Sequence, residues 1–280
     1  MTICKTAAEM RAHRRTRRQG GRLGFVPTMG ALHAGHLSLV RAAHEQCDSV
    51  AVSIFVNPAQ FAPHEDLDQY PRSLERDREL LEKEGVDLLF VPSNQEMYPP
   101  GSSTWVQVDG LSDKLCGQSR PGHFRGVTTV VAKLFHIVQP DCAFFGQKDA
   151  AQLAIIRRMV RDLHMPVEIV ACLIVREADG LAMSSRNTYL DHQQRKAAPA
   201  LYRSLMRVRE DFGAGERNAA RLIGAGKGTI SAEPSVRLDY FEIVDPQTLD
   251  PLTEVDRPAL VAVAAFVGTT RLIDNLALPG

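Results

Sequence analysis

The chain has 280 residues, with 33 Lys+Arg against 33 Asp+Glu, so its formal net charge is zero with histidine neutral. Hydrophobic residues make up 44% and charged residues 24%, which excludes disorder as the main state and excludes a globally basic nucleic-acid binder. At this length folding buries roughly 70–75% of the unfolded chain's surface, so one large domain or two smaller ones form without a staple.

From Arg22 onward the apolar pattern alternates strand and helix. Leu23 to Pro27 predicts a strand, followed by a glycine-containing turn and a helix from about Leu37 to Cys47. Ser49 to Val56 is apolar and β-branched, as a strand buried on both faces requires. A charged amphipathic helix is predicted over Leu67 to Glu84, stopped by Gly85, and a strand over Asp87 to Val91, ended by Pro92. Gly126 to Val138 reads as helix, Asp141 to Phe145 as strand, Asp149 to Leu163 as helix and Val167 to Val175 as strand. Five buried strands separated by helices predict a parallel sheet with right-handed crossovers. Its ligand belongs outside the carboxyl ends of the strands, near the switch in strand order.

After Arg176 the rhythm changes. His192 to Glu210 and Glu216 to Ile230 read as helices, then Leu238 to Val244, Leu260 to Phe266 and Thr270 to Leu276 as strands with short connections. The expected fold class is α/β, with a Rossmann-like parallel-sheet nucleotide-binding domain over residues 1–175 and a smaller C-terminal α+β domain over 176–280.

No stretch approaches the ~20 consecutive apolar residues of a membrane-spanning helix, and no apolar core follows the N-terminal positive charges, so neither membrane nor secretion is expected. Cys4, Cys47, Cys116, Cys142 and Cys172 are scattered without a C-x-x-C. That argues against a disulfide framework and a thiolate zinc site and suits reduced thiols in cytoplasm. Cys142 and Cys172 lie in apolar runs and read as small core residues.

The sharpest chemical signal is Pro27-Thr-Met-Gly-Ala-Leu-His33-Ala-Gly35-His36, placed after the first strand and opening the first helix. Glycines let a backbone approach phosphate, and the free N–H groups of a helix start favour anions. Two imidazoles three residues apart donate to phosphate oxygens as charge develops; H-x-x-H also supplies two zinc ligands, with no third at a telling spacing. Asn57-Pro58-Ala59-Gln60-Phe61 follows the second strand, where amides read hydroxyl and carboxylate groups without adding charge. Ser119-Arg120-Pro-Gly-His123-Phe-Arg125-Gly126 opens the next helix, and its cations suit polyphosphate or carboxylate. Phe145-Gly146-Gln147-Lys148-Asp149 brings a point charge to phosphate, with Gln152 one turn on. Asp179-Gly180-Leu-Ala-Met183-Ser184-Ser185-Arg186-Asn187 offers two hydroxyls and a guanidinium on a glycine-initiated loop, a mobile phosphate clamp.

Two segments imitate function. Gly224-Ala-Gly226-Lys227-Gly228-Thr229 suggests a P-loop, but Gly228 stands where Ser or Thr must follow the lysine, Arg221 stands at the first required glycine, and no strand precedes it. The basic run Arg11, Arg14, Arg15, Arg17, Arg18 and Arg22 lacks interleaved aromatics and reads as a solvated first helix.

H-x-G-H after strand one with M-S-S-R after strand five is the layout of the nucleotidyltransferase superfamily. Within it, PTMGALHAGH, SIFVNPAQF, SRPGHFRGV, FGQKD and VREADGLAMSSRN, spanning Pro27 to Asn187, closely resemble the pantothenate synthetase (pantoate–β-alanine ligase) family. The resemblance implies that pantoate attacks the α-phosphate of MgATP to give pantoyl adenylate and pyrophosphate. β-Alanine then attacks the adenylate, releasing pantothenate and AMP. It implies catalytic roles for His36 (the proton donor), His33 and Lys148. It assigns ATP binding to Met29, Gly30, Ala31, Leu32, His33, Ala34, Gly35, His36, Gly146, Gln147, Lys148, Asp149, Val175, Met183, Ser184, Ser185 and Arg186. Gln60 and Gln152 match the pantoate-binding glutamines, Asn57 is a helper, and Arg120 is a phosphate contact. The cofactors implied are ATP, as substrate, and Mg²⁺, whose protein ligands are unknown. A homodimer in the cytoplasm is implied, with residues 176–280 as a lid, and no nucleic acid or membrane partner. The chain departs from the family pattern at Ala150, Ala151 and Gln147, the last removing a charge near the triphosphate. The rivals are a nucleotidyltransferase acting on another small acid or on a phosphate acceptor, and a non-catalytic nucleotide- or RNA-binding module. A tRNA synthetase is disfavoured, since the C-terminal part has no strong basic face.

Overall fold

The computed structural model describes residues 1–17, 21–63 and 65–280. Its elements are β1 (Thr2–Cys4), α1 (Ala7–Arg17), β2 (Leu23–Thr28), α2 (Ala34–Gln46), β3 (Ser49–Ile54), α3 (Leu74–Lys83), β4 (Leu88–Phe90), α4 (Asn94–Met97), α5 (Cys116–Ser119) and α6 (His123–Val138). They continue with β5 (Cys142–Gly146), α7 (Ala150–Asp162), β6 (Glu168–Cys172), α8 (His192–Ala197), α9 (Ala200–Gly213), α10 (Ala219–Ser231), β7 (Val236–Val244), β8 (Ala259–Val267) and β9 (Thr270–Leu278). Short 3₁₀ segments lie at Pro58–Gln60, Gln147–Asp149 and Ser185–Tyr189. The chain divides into two units. Met1–Ser112, Arg120–Gln147 and Ile155–Leu173 make the first; Asp113–Ser119, Lys148–Ala154 and Ile174–Gly280 make the second.

The first unit is a six-stranded sheet in the order β1-β4-β3-β2-β5-β6, every pair parallel. The chain lays β2, β3 and β4 in one direction and then returns to the centre for β5 and β6, so the order switches between β2 and β5. One face of the sheet packs Val26, Val50, Val52 and Phe144 against Leu39, Val40 and Leu81 from α2 and α3. Burying apolar area of this kind contributes about 25 cal/mol per Å² and is the main term holding helices to sheet.

Pro27 sets where the central strands part. The Leu23 carbonyl accepts from Asp141 N at 3.0 Å, whereas the Thr28 carbonyl accepts from Phe55 N at 3.1 Å. Odd-numbered residues of β2 therefore face β5 and even-numbered ones face β3. Pro27 is on the β5 side and has no N–H to give. The β2–β3 register accordingly runs from Leu23 to Thr28, while β2–β5 pairing stops at Phe25↔Ala143. Beyond Phe25 the two strands leave an unpaired gap at their carboxyl ends, the place where an open parallel sheet takes its ligand.

The sequence reading differs from the structure at several points, and Cys172, expected in the core, is half-buried. A sixth strand, Thr2–Cys4, sits at the sheet edge, too short to show a period. The last strand of the sheet is an edge strand with exposed and half-buried positions, not one buried on both faces. The helix expected from Leu67 begins at Leu74, because Pro71 disfavours helical geometry at Tyr70. The helix expected over His192 to Glu210 is two helices, since Pro199 cannot donate to the ladder. In α1, Arg14 is not solvated: it is buried and donates to Asp141 Oδ2 at 2.8 Å and to the Gln139 carbonyl at 2.9 Å. Arg18 of the same basic run lies outside the described residues.

The second unit holds the antiparallel sheet β7-β8-β9 with α9 and α10. Its central strand β8, ALVAVAAFV, is buried almost throughout. The P-loop imitation is helix: all of Gly224 to Thr229 lies within α10. No helix among the described residues is long and apolar enough to cross a membrane, and all five cysteines are free thiols.

Two glycines of α10 test this packing. A Cβ on Gly226 would stand 2.2 Å from the ring of buried Phe241, whereas one on Gly224 meets nothing within 4 Å. Gly226→Ala should therefore lose about 1–3 kcal/mol to overpacking, and Gly224→Ala should gain up to about 1 kcal/mol from helix propensity. Equilibrium denaturation of the two variants checks the opposite signs.

Candidate active site

The loop leaving β2 is shaped by a carboxylate from another element. Gly30 and Ala31 both take positive φ, 83° and 51°, which turns consecutive backbone N–H groups toward one point. Asp77 of α3 fills it, accepting from Ala31 N and Leu32 N at 2.8 Å each. Asp77 is only 1% exposed. Burial pushes its carboxyl above the usual range, and the two N–H donors offset part of that. A Cβ on Gly30 would approach Asp77 Oδ2 at 3.0 Å.

At the start of α2 the two histidines cap the helix reciprocally. Gly35 N donates to His33 Nδ1 at 3.1 Å, and His33 N donates to His36 Nδ1 at 3.4 Å; the rings lie 4.1 Å apart. In each ring Nδ1 is an acceptor, so in the neutral imidazole the proton resides on Nε2. The capping bonds thus make both rings Nε2–H donors.

After β3, Asn57 is 1% exposed and fully satisfied. Its Oδ1 accepts from Ala59 N at 3.3 Å and Tyr98 Oη at 2.9 Å, and its Nδ2 donates to the Gly126 carbonyl at 3.1 Å and to Gln60 Oε1 at 3.2 Å. Burial lifts the Tyr98 hydroxyl to about 12, so it stays a donor. Gln60 Nε2 in turn donates to Met29 Sδ at 2.8 Å. Asn57 therefore orients the Gln60 amide. Arg120 forms a two-pronged pair with Glu65, 2.6 Å on each prong, and its Nη1 lies 3.0 Å from His123 Nε2. Burial works to raise the Glu65 carboxyl, but the bonds and charge of Arg120 outweigh it and hold it below the ordinary value. The Arg120 edge made of Nε and Nη2 is thus committed to Glu65.

In the second unit Lys148 and Gln152 are half-buried, and the Lys148 carbonyl accepts from Asn275 Nδ2 at 2.8 Å. The loop from Arg176 to Asn187 is stapled at its base. Arg176 grips Asp274 through both prongs, 2.6 and 2.9 Å, and donates to the Gly180 carbonyl at 2.9 Å. Arg195 pairs with Glu177 and Asp179 at 2.5 and 2.6 Å. Gly180, at φ 89°, packs its Cα face on Tyr202, where a Cβ would lie 2.0 Å from the ring. Met183 N donates to the Val175 carbonyl, and Ser184 caps the turn carrying Ser185 and Arg186.

The expected residues thus fall into two groups. Met29 to His36, Asn57, Gln60, Arg120, Gly146 and Gln147 lie on the first unit; Lys148, Asp149, Gln152, Val175 and Met183 to Arg186 lie on the second. Sequence reasoning misses Asp77, Glu65, Tyr98, Asp274 and Asn275. Only Asp77 has a legible signal, a charge four residues before buried Leu81 on the inward stripe of α3. Among the described residues no cluster of three His, Cys, Asp or Glu is placed to hold a metal.

A parallel sheet with its strand order switching beside β2, two capped imidazoles opening the helix that follows β2, and a small antiparallel second unit define an α/β protein of the Rossmann-like class. The pantoate-beta-alanine ligase family model matches residues 2–277. The chain is 60% identical to the pantothenate synthetase of Koribacter versatilis over 99% of its length and 96% of that protein's. The pantothenate synthetase crystal structure from Thermus thermophilus superposes with a TM-score of 0.94 at 52% identity, covering 99% of both chains. A pantoate-beta-alanine ligase from Francisella tularensis, complexed with beta-gamma ATP and beta-alanine, matches with a TM-score of 0.82 at 34% identity, covering 99% of this chain and 97% of that one. The chain belongs to the pantoate-beta-alanine ligase family and is an enzyme of that family.

Asp77 supplies a test of the loop geometry. Asp77→Ala leaves two buried N–H groups without acceptors and should cost roughly 1–3 kcal/mol, read as a lowered denaturation midpoint.

Proposed function

We propose that the enzyme joins (R)-pantoate to β-alanine at the expense of ATP, through a pantoyl-adenylate intermediate, releasing pyrophosphate and then AMP. The observation that carries the reading is the pair of capped imidazoles at the start of α2, whose Nδ1 atoms accept backbone N–H bonds and so leave Nε2–H as the donor of each neutral ring. The pantoate carboxylate forms a bond to the α-phosphorus as the bond to pyrophosphate breaks. The β-alanine amine then forms the amide bond, and AMP leaves with the bonding pair. This chemistry needs positioning and charge stabilisation rather than a nucleophilic side chain.

On this reading His33 and His36 donate to phosphate, with His36 the proton donor, and the backbone from Met29 to His36 and from Gly146 to Asp149 receives ATP together with Val175 and Met183 to Arg186. Lys148 and Arg186 offset charge on the phosphates. Gln60 and Gln152 read the pantoate carboxylate and hydroxyls through neutral amides, with Asn57 holding Gln60 in place. Arg120 reaches phosphate only through the second N–H of Nη1, the first being given to His123. ATP would come as its magnesium complex, the ion supplying positive charge to the triphosphate; no residue of this chain is assigned to hold it. A cytoplasmic homodimer belongs to the same proposal.

ATP–pyrophosphate exchange with pantoate present and β-alanine absent tests the reading. Exchange that requires pantoate is the expected result; a folded, ATP-binding protein without it defeats the proposal and turns the search to other acids. Lys148→Ala should slow adenylation by about 10²–10³-fold with the fold intact by circular dichroism. Near-normal exchange in that variant removes Lys148 from the chemistry.

A further inference from the structure

We propose that Glu65, Arg120 and His123 act as positioning residues that lock Gln60 for the carboxylic-acid substrate; the role assigned to Gln60 rests on the ligase reading above. An arginine has no acceptor, so the 3.0 Å approach of Arg120 Nη1 to His123 Nε2 makes Nε2 the acceptor. The ring proton must then sit on Nδ1, which donates to the Gln60 carbonyl at 2.8 Å. This is the opposite tautomer to that of His33 and His36, and Arg120 imposes it. Arg120 faces His123 because Glu65 holds the other edge of the guanidinium in a planar two-pronged pair. Arg120 Nη2 adds a longer bond of 3.4 Å to the same Gln60 carbonyl.

The consequence is that Gln60 is gripped at both ends. Its carbonyl is held by His123, and its side-chain Oε1 is held by Asn57 Nδ2, which fixes the amide against a flip. The α6 helix closes the third side, since a Cβ on Gly126 would lie 2.1 Å from the Ala59 carbonyl oxygen. An amide that reads a carboxylate must present Nε2 in one direction. Glu65 holds the backbone end of Gln60 through two intermediaries while Asn57 sets the direction of the amide, and Glu65 never needs to touch substrate.

The test has two arms on the full-length enzyme. Nitrogen-15 NMR of the histidine rings should show His123 protonated on Nδ1 in the unmodified protein and a mixture of tautomers in Glu65→Gln. His123→Leu should raise KM for pantoate about tenfold, with kcat and KM for ATP within about twofold. His123→Asn, which keeps an N–H where Nδ1 stood, should restore KM to within about threefold. A His123 proton found on Nε2, an unchanged pantoate KM in folded His123→Leu, or an equal fall in every kinetic parameter overturns the lock. An unmodified enzyme that does not use pantoate overturns the ligase reading instead, and the NMR arm still decides whether Arg120 sets the tautomer.

Discussion

A single missing hydrogen-bond donor governs the architecture around the site. Pro27 lies in the middle of the sheet, on the side of β2 that faces β5, where an ordinary residue would continue the ladder. Pairing ends two residues earlier, and the strands separate where the chain also reverses its strand order. The loops that follow β2 and β5 therefore emerge beside a gap whose walls are backbone. The loop after β2 leads from that end of the strand to the capped imidazoles at the start of α2.

Several of the candidate site residues are held by residues that arrive from other elements. Asp77 of α3 shapes the loop after β2. Asn57, itself held by Tyr98 and the Gly126 carbonyl, orients Gln60. In the second unit the Arg176–Asp274 pair and Asn275 tie β9 to the loop from Arg176 and to the Lys148 carbonyl. Asp274 is 4% exposed; burial raises its carboxyl, and Arg176 opposes that rise. Such a pair is costly to break from one side, because the remaining charge stays buried. It serves to fix geometry more than to add net stability.

How much of this is legible in the sequence follows from the range of each interaction. Strands and helices with strong periods, and motifs such as PTMGALHAGH that sit at strand ends, are local and show in kind. Boundaries move where a proline acts on its neighbours, at Pro71 and Pro199. The edge strand Thr2–Cys4 is too short for any period. The supporting residues other than Asp77 are illegible, because Glu65 and Arg120 are 55 residues apart and Lys148 and Asn275 are 127 apart. Nothing in either neighbourhood marks one as the other's partner. Arg14 shows the reverse error: a charge in a basic run reads as solvent-facing, while its acceptors at Gln139 and Asp141 lie far along the chain.

The reciprocal cap at the start of α2 carries a constraint of its own. His33 and His36 have spent their Nδ1 lone pairs on the backbone N–H groups that open the helix. Each ring can therefore give a hydrogen bond through Nε2 while its cap stays in place. Neither can hold a second proton without surrendering a helix cap, a loss typically worth about 1 kcal/mol. The first turn of α2 thus ties the tautomer of the two rings to the integrity of the helix start.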